Sequence, residues 1–413
     1  MAVLQLRPGH QVQLLQGGDA FFPALIAAID LSAHEVRMET YIFNLKAAGQ
    51  RVAEALERAA LRGVAVYLVM DGVGTPGMPA EWVNRFNAAG VAWRIFSPLG
   101  RLGVLIPSRW RRLHRKLCVV DGLVAFCGGI NVLDDFYDPN HGTLAAPRFD
   151  FAVQVKGPLV QSVHEATTQL WWRLQAVRTV QQSDFAGAWH ALQSSVRLAL
   201  KFRSSTDNEK VATTMIPRIQ EDRIHADLVL RDNVRNRSRI ERSYRQAIGA
   251  ATDEIIIANA YFLPGRKLRM GLIHAAQRGV RVRLLLQGRY EYFMQYHATR
   301  PVYGALLAAG VEIHEYSVSF LHAKVAVIDG HWATVGSSNL DPLSLLLARE
   351  ANVVVDDLVF ARGLRTRLEH AMTQGGTQVD PAAYANRPWR QQFLDRVAFG
   401  LMRVLIFLNG KRY

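Results

Sequence analysis

Apolar residues fall into short runs separated by stretches of helical periodicity, and the same succession occurs twice along the chain. "VRMETYIF" (Val36–Phe43) and "IIIANAYF" (Ile255–Phe262) are strand-like runs that end in an aromatic pair. A helical stretch follows each. Next come "ALRGVAVYLVMDG" in one half and "AQRGVRVRLLLQG" in the other, with Arg62 and Arg278 separated by 216 positions. "AAGVAWRIFS" and "AAGVEIHEYS" come after these, their Gly90 and Gly310 separated by 220. In each unit a glycine ends the helix and β-branched residues open the strand. Strand, helix, strand, helix, strand predicts α/β layers with a largely parallel sheet.

The repetition tightens in "LHRKLCVVDGLVAFCGGIN" and "LHAKVAVIDGHWATVGSSN". His114/His322, Lys116/Lys324, Asp121/Asp329, Gly128/Gly336 and Asn131/Asn339 all share an offset of 208. Behind them, "DFAVQV" and "EANVVV" align Asp150 with Glu350 at an offset of 200. A unit of this length is not a solenoid repeat. The expected architecture is therefore two duplicated α/β domains, with mixed, mostly parallel sheets flanked by helices, packed about a pseudo-twofold axis. The boundaries are placed at 1–190 and 211–375. "GPLVQSVHEATTQLWWRLQAV" reads as an amphipathic helix closing the first unit, and the polar "SSVRLALKFRSSTDNEK" (Ser194–Lys210) reads as the linker.

Composition narrows the class. With 413 residues, 50% hydrophobic and 20% charged, the chain has ample core-forming material, and disorder is excluded over most of its length. A formal net charge of +14 favours polyanions, either nucleic acid or an acidic membrane surface. Cys118 and Cys127 sit in apolar runs and read as small core residues, not as a disulfide framework. The first residues lack a signal-peptide pattern, and no apolar run of about eighteen residues predicts a membrane span.

The repeated motif carries chemistry. On a strand, His114 and Lys116 share a face, as do His322 and Lys324. Asp121 and Asp329 complete the motif and belong with the candidate catalytic set. Their opposite parity and a following glycine predict that they organise a turn instead of touching substrate. Two such pairs facing each other suit phosphodiester chemistry. One neutral imidazole attacks phosphorus, and the other, protonated, gives a proton to the leaving alkoxide. The lysines hold the non-bridging oxygens, so neither a metal nor another cofactor is required. Asn131 and Asn339 are candidate phosphate donors, joined by Arg112 and Ser337 as candidate substrate-binding residues. Asp150 and Glu350 are candidates to orient the histidines.

These stretches resemble the phospholipase D superfamily, whose signature is a duplicated His-x-Lys-x₄-Asp motif, and most of all the bacterial cardiolipin synthases of the B type. "GSSNLDPLS" and the Asn-Ala-Tyr-Phe strand carry the closer resemblance, which extends from about Val12 to Asp357. It implies transfer of a phosphatidyl group from a phospholipid to a histidine and then to phosphatidylglycerol. If the donor is also phosphatidylglycerol, the products are cardiolipin and glycerol. In relatives the first-motif histidine is often taken as the nucleophile, which would be His114 here with His322 as the acid; the near-symmetry of the repeat leaves that order open. Hydrolysis of a lipid or of DNA, and a non-catalytic basic membrane module, remain the alternative readings.

A lipid substrate requires contact with an anionic bilayer, and no nucleic acid is expected as partner. The resemblance implies a peripheral position on the cytoplasmic face of the bacterial inner membrane. "LGRLGVLIPSRWRRL" (Leu99–Leu113) mixes apolar residues with Arg and a Trp and leads into the first motif, as a loop touching headgroups would. "RDNVRNRSRIERSYRQAI" (Arg231–Ile248) carries six arginines, mostly expected on a solvated face. "QQFLDRVAFGLMRVLIFLNGKRY", within a 388–413 terminal segment, is too short and too charged to span. It reads as an amphipathic helix in the interface plane or packed on the protein's own core.

Overall fold

The computed structural model describes residues 4–100, 107–181, 224–232, 236–289, 293–341 and 348–408. The first half runs β1 (Arg7–Gln16), α1 (Gly17–Asp30), β2 (Glu35–Thr40), α2 (Ala48–Leu61), β3 (Ala65–Asp71), α3 (Ala80–Ala89), β4 (Ala92–Phe96), β5 (Arg112–Leu113), β6 (Lys116–Val120), β7 (Val124–Gly128), β8 (Tyr137–Asp138), β9 (Gly142–Thr143), β10 (Phe151–Lys156) and α4 (Leu159–Gln181). The second half runs β11 (Ile224–Arg231), α5 (Arg239–Ala250), β12 (Glu254–Asn259), α6 (Arg266–Gln277), β13 (Arg281–Gln287), α7 (Phe293–Leu307), β14 (Glu312–Tyr316), β15 (Lys324–Ile328), β16 (Trp332–Gly336), β17 (Ala348–Asp356), α8 (Leu358–Gly375) and β18 (Gly376–Gln378). Two further helices follow, α9 (Pro381–Ala385) and α10 (Trp389–Leu408). The expected linker lies outside the described residues.

Strand order shows the duplication. From the β1–β11 pair outward, one half reads β1-β10-β7-β6-β2-β3-β4 and the other β11-β17-β16-β15-β12-β13-β14. Each position holds the counterpart strand, and β1 and β11 pair antiparallel, which is the pseudo-twofold relation. The fold is mixed α/β, but the expectation of a mostly parallel sheet needs correcting. Within the main run of strands, parallel pairing is confined to β2–β3–β4 and β12–β13–β14. From β2 to β12 through the centre, every pair is antiparallel. The reason is local: β6–β7 and β15–β16 are joined by short hairpin turns, which can link only antiparallel neighbours.

Alternation along the motif strands divides the core. Leu117 and Val119 of β6, with Val325 and Val327 of β15, lie in an inner cluster shared by both halves and completed by α4 and α8. Cys118 and Val120 face the opposite way, under α1, α2 and α3, and Ala326 and Ile328 face α5, α6 and α7. Both sheet faces are thus covered, which is why these strands read as continuous apolar runs. Cys118 and Cys127 are free and buried, and burial pushes each thiol up to about 12.

The motif aspartates make the hairpins. Asp121 and Gly122 take positive φ of 52° and 65°, and Asp329 and Gly330 take 49° and 66°. An Asp-Gly pair tolerates that backbone better than most residues do. The Asp121 carboxylate accepts from the amides of Ala33, His34 and Glu35, each at 2.8 Å. Asp329 accepts from Thr252, Asp253 and Glu254, each at 2.9 Å. Each aspartate therefore ties its motif hairpin to the start of the neighbouring antiparallel strand, β2 or β12. Asp121→Ala or Asp329→Ala should cost about 1–3 kcal/mol of stability by orphaning these amides, while the folded fraction keeps its chemistry. Denaturant unfolding combined with activity per folded molecule checks this. Unchanged stability with lost activity would contradict it.

Candidate active site

Each motif histidine lies where the chain changes strand partner. Leu113 pairs with Arg349 of the opposite half, and Lys116 then pairs with Gly128 of its own half. Leu321 likewise bridges Phe149, and Lys324 returns to pair with Asn259. The histidines therefore stand at a crossing and not within a continuous strand, so simple strand parity does not describe their pairing with lysine. The His114 amide donates to the Arg349 carbonyl at 3.0 Å, and the His322 amide donates to the Phe149 carbonyl at 2.9 Å.

The residues immediately after those carbonyls are the acids. His114 Nδ1 lies 3.1 Å from the Glu350 carboxylate, and His322 Nδ1 lies 2.6 Å from Asp150 Oδ2. Each imidazole is therefore oriented by the opposite half, through both its backbone and its ring. With Nδ1–H donated to a carboxylate, Nε2 of a neutral ring is left with its lone pair. Lys116 Nζ donates to the His114 carbonyl at 2.6 Å, and Lys324 Nζ donates to that of His322. Both lysines are buried.

The electrostatics show one shared, positively charged centre. Burial lowers the pKa of both histidines; Lys116 adds to the effect at His114, and Lys324 and then Lys116 add to it at His322. Burial, together with Lys324, brings Lys116 down to about 7 despite the pull of Glu350. Both lysines thus disfavour a proton on either histidine, and Lys324 disfavours one on Lys116; an anion among them would relieve that.

The two acids differ. Burial pushes Asp150 up to about 7 against the attraction of Lys324 and the Phe151 amide. Burial works on Glu350 too, but His114, Lys116 and the Ser337 hydroxyl hold it below the usual carboxylate range. Ser337 Oγ donates to Glu350 at 2.5 Å. Its counterpart is Gly129, where a Cβ would stand 2.3 Å from Asp150 Oδ1. The Gly/Ser departure between the motifs therefore determines which acid receives a hydroxyl.

The other expected site residues divide. Asn131 is buried and accepts from the Ile42 amide at 3.2 Å, and Asn339 is buried at the equivalent position. Three are engaged elsewhere. The carboxylates of Asp121 and Asp329 are taken up by the turns described above, as their parity predicts. Arg112 donates to Asp71 Oδ1 at 2.9 Å and to the carbonyls of Ser97 and Trp110 at 3.0 and 3.1 Å. Asp71 is buried, so the pair anchors the loop ahead of the motif. Residues 101–106 of that loop, 233–235 of the arginine-rich stretch and 342–347 after the second motif lie outside the described residues.

Two neighbours were missed. Tyr41 lies with its ring 5.0 Å from that of His114 and 5.4 Å from Lys116 Nζ. It belongs to the "VRMETYIF" run, whose counterpart has Ala260 at that position, so the asymmetry was readable. Arg148 lowers the pKa of His322 and is tied to Asp138 at 3.1 Å. No spacing signal marked it. Among the described residues no group of three His, Cys, Asp or Glu is arranged to hold a metal ion.

Comparison with known proteins places this geometry. The family model described as "Cardiolipin synthase, PLD-like domain" matches twice, at residues 25–146 and 244–372. The chain is 34% identical to cardiolipin synthase B of Escherichia coli (strain K12), over 98% of this chain and 90% of that protein. It is 29% identical to a cardiolipin synthase of Geobacillus kaustophilus, over 94% of this chain and 71% of that protein. In fold it is similar to the crystal structure of phosphatidylserine synthase from Haemophilus influenzae Rd KW20, with a TM-score of 0.65, 11% identity, and coverage of 97% and 95% of the two chains. With its motif histidines brought together by two copies of one domain, and with relatives matching nearly end to end, the chain belongs to the cardiolipin synthase family of phospholipase D-like proteins.

Proposed function

We propose that the protein is a phosphatidyltransferase that makes cardiolipin from phosphatidylglycerol by way of a phosphohistidine. The observation that carries this reading is the pair of half-buried imidazoles, each oriented by an acid of the opposite half, beside two buried lysines that disfavour further positive charge at the same centre. An anionic phosphodiester would relieve that repulsion. The names of the relatives support the choice of lipid over other phosphodiesters.

The unequal acids support an order of events. Glu350 stays ionised, so the His114–Glu350 pair holds only the Nδ1 proton, and His114 Nε2 is the nucleophile. Asp150 and His322 together retain a further proton up to near neutrality, and that proton belongs to the pair. In the first step Nε2 of His114 bonds to phosphorus, the bond from phosphorus to the glycerol oxygen breaks, and His322 protonates the leaving alkoxide. In the second step the hydroxyl of an acceptor phosphatidylglycerol gives its proton to His322, bonds to phosphorus and releases His114 as cardiolipin forms. Lys116 and Lys324 carry the charge that builds on the non-bridging oxygens. Asn131 and Asn339 are proposed to bind the same phosphate.

Purified protein incubated with phosphatidylglycerol vesicles and, separately, with plasmid should yield cardiolipin and leave the plasmid intact, with EDTA present throughout. Nicking without cardiolipin would point to a nuclease, and phosphatidic acid alone would point to a hydrolase. His114→Ala and His322→Ala should each lower turnover by at least about a thousandfold with unfolding midpoints near that of the parent. Substantial activity in either would refute a two-histidine mechanism.

The pH dependence follows from the same groups. The acid form of the His322–Asp150 pair and the charged form of Lys116 are present below pH about 7 and are lost as pH rises through it. The rate of the first step should therefore fall above that pH, by about tenfold per unit once one group dominates. A rate that keeps rising to pH 9 or so would contradict the assignment of the acid.

A further inference from the structure

The terminal helix α10 has two apolar faces, and the protein uses only one of them. Asp395 and Ala398 are buried against the rest of the chain. Asp395 bonds His297 of α7 at 2.7 Å and Arg387 at 3.0 Å, and Tyr384, just ahead of the helix, donates to the Arg300 carbonyl. Later residues of the terminal segment thus meet earlier residues of α7, so the segment from α9 into α10 runs antiparallel to α7. On the other face Trp389, Phe393, Val397 and Leu401 recur every fourth residue and therefore form a single stripe. All four are exposed, Trp389 by 71% and Phe393 by 63%. Leu394 widens the stripe.

We infer that this stripe is a docking surface for an anionic phospholipid bilayer, a reading that rests on the proposed lipid substrate for its biological sense but not for its geometry. Charge selects the bilayer over a second copy of the chain. Arg390 lies within the stripe's first turn and Arg396 on its flank, both exposed. A protein of net charge +14 repels its own copies and is drawn to an acidic surface. Trp and Phe on one face with arginine beside them is the pattern of a helix lying at headgroup depth. Position supports the same occupant. The helix runs toward the start of α7, which follows Gln287 at the carboxyl end of β13. Gln287 Oε1 there accepts from the Leu321 amide at 3.4 Å, next to His322. The stripe therefore leads toward the edge of the sheet where the histidines lie. Among the described residues no helix is long and apolar enough to cross a membrane.

The test is co-sedimentation of the full chain with vesicles of phosphatidylcholine, alone or mixed equally with phosphatidylglycerol. The parent should pellet with the mixed vesicles and be released by salt. Phe393→Glu/Val397→Glu should weaken that binding by about tenfold or more, while making cardiolipin from detergent-dispersed phosphatidylglycerol at the parent's rate. Trp389→Ser/Leu401→Ser, which adds no charge, should weaken binding in the same direction. Equal pelleting of all three proteins would overturn the inference. So would a parent dimer in light scattering that both variants dissociate with vesicle binding unchanged, because a second copy would then be the occupant. If binding depends on the stripe but no protein makes cardiolipin in detergent, the docking surface stands and the proposed reaction fails.

Discussion

Each motif histidine is held by a carboxylate that the other half of the molecule supplies. His114 leans on Glu350 and His322 on Asp150, and in both cases the backbone of the residue before the acid also binds the histidine's amide. A buried acid without its partner costs several kcal/mol, so neither half presents a finished site alone. The antiparallel β1–β11 joint, the palindromic strand order and the inner core shared by both sheets all serve to keep these crossed contacts in register. Catalytic geometry and domain association are here the same constraint.

Symmetry brings two equivalent imidazoles together, yet phosphoryl transfer through a histidine needs them unequal. Small substitutions supply the difference. Ser337 donates to Glu350, whereas Gly129 leaves its space to the Asp150 carboxylate. Tyr41 lies beside His114, and its counterpart is Ala260. One acid is thereby stabilised as an anion and the other is left near the edge of protonation. Under the proposed mechanism a base and an acid then coexist at one pH on nearly identical scaffolds, which is the separation of roles that paired catalytic groups require.

Much of this was legible in the chain. Offsets of 208 between motifs exposed the duplication, and the Asp-Gly pairs predicted the turns that Asp121 and Asp329 make. The misreadings have physical causes. Continuous apolar runs do not report strand direction, so the sequence predicts parallel strands where hairpins make the central ones antiparallel. Arg112 stands in the sequence only as a candidate substrate-binding residue, because its partner, Asp71, lies 41 positions away and is joined to it only by folding. The alignment of Asp150 with Glu350 identified the acids, but nothing local shows that each serves the opposite histidine. That crossing is a property of how two sheets meet.

The most direct test of the central claim is to trap the intermediate. Parent enzyme mixed with phosphatidylglycerol, quenched in alkaline denaturant and mapped by peptide mass spectrometry, should carry a phosphatidyl group on the peptide containing His114. His322→Ala should still form some adduct there, and His114→Ala should form none. A phosphatidyl group on His322, or turnover with no covalent adduct on either histidine, would contradict the account.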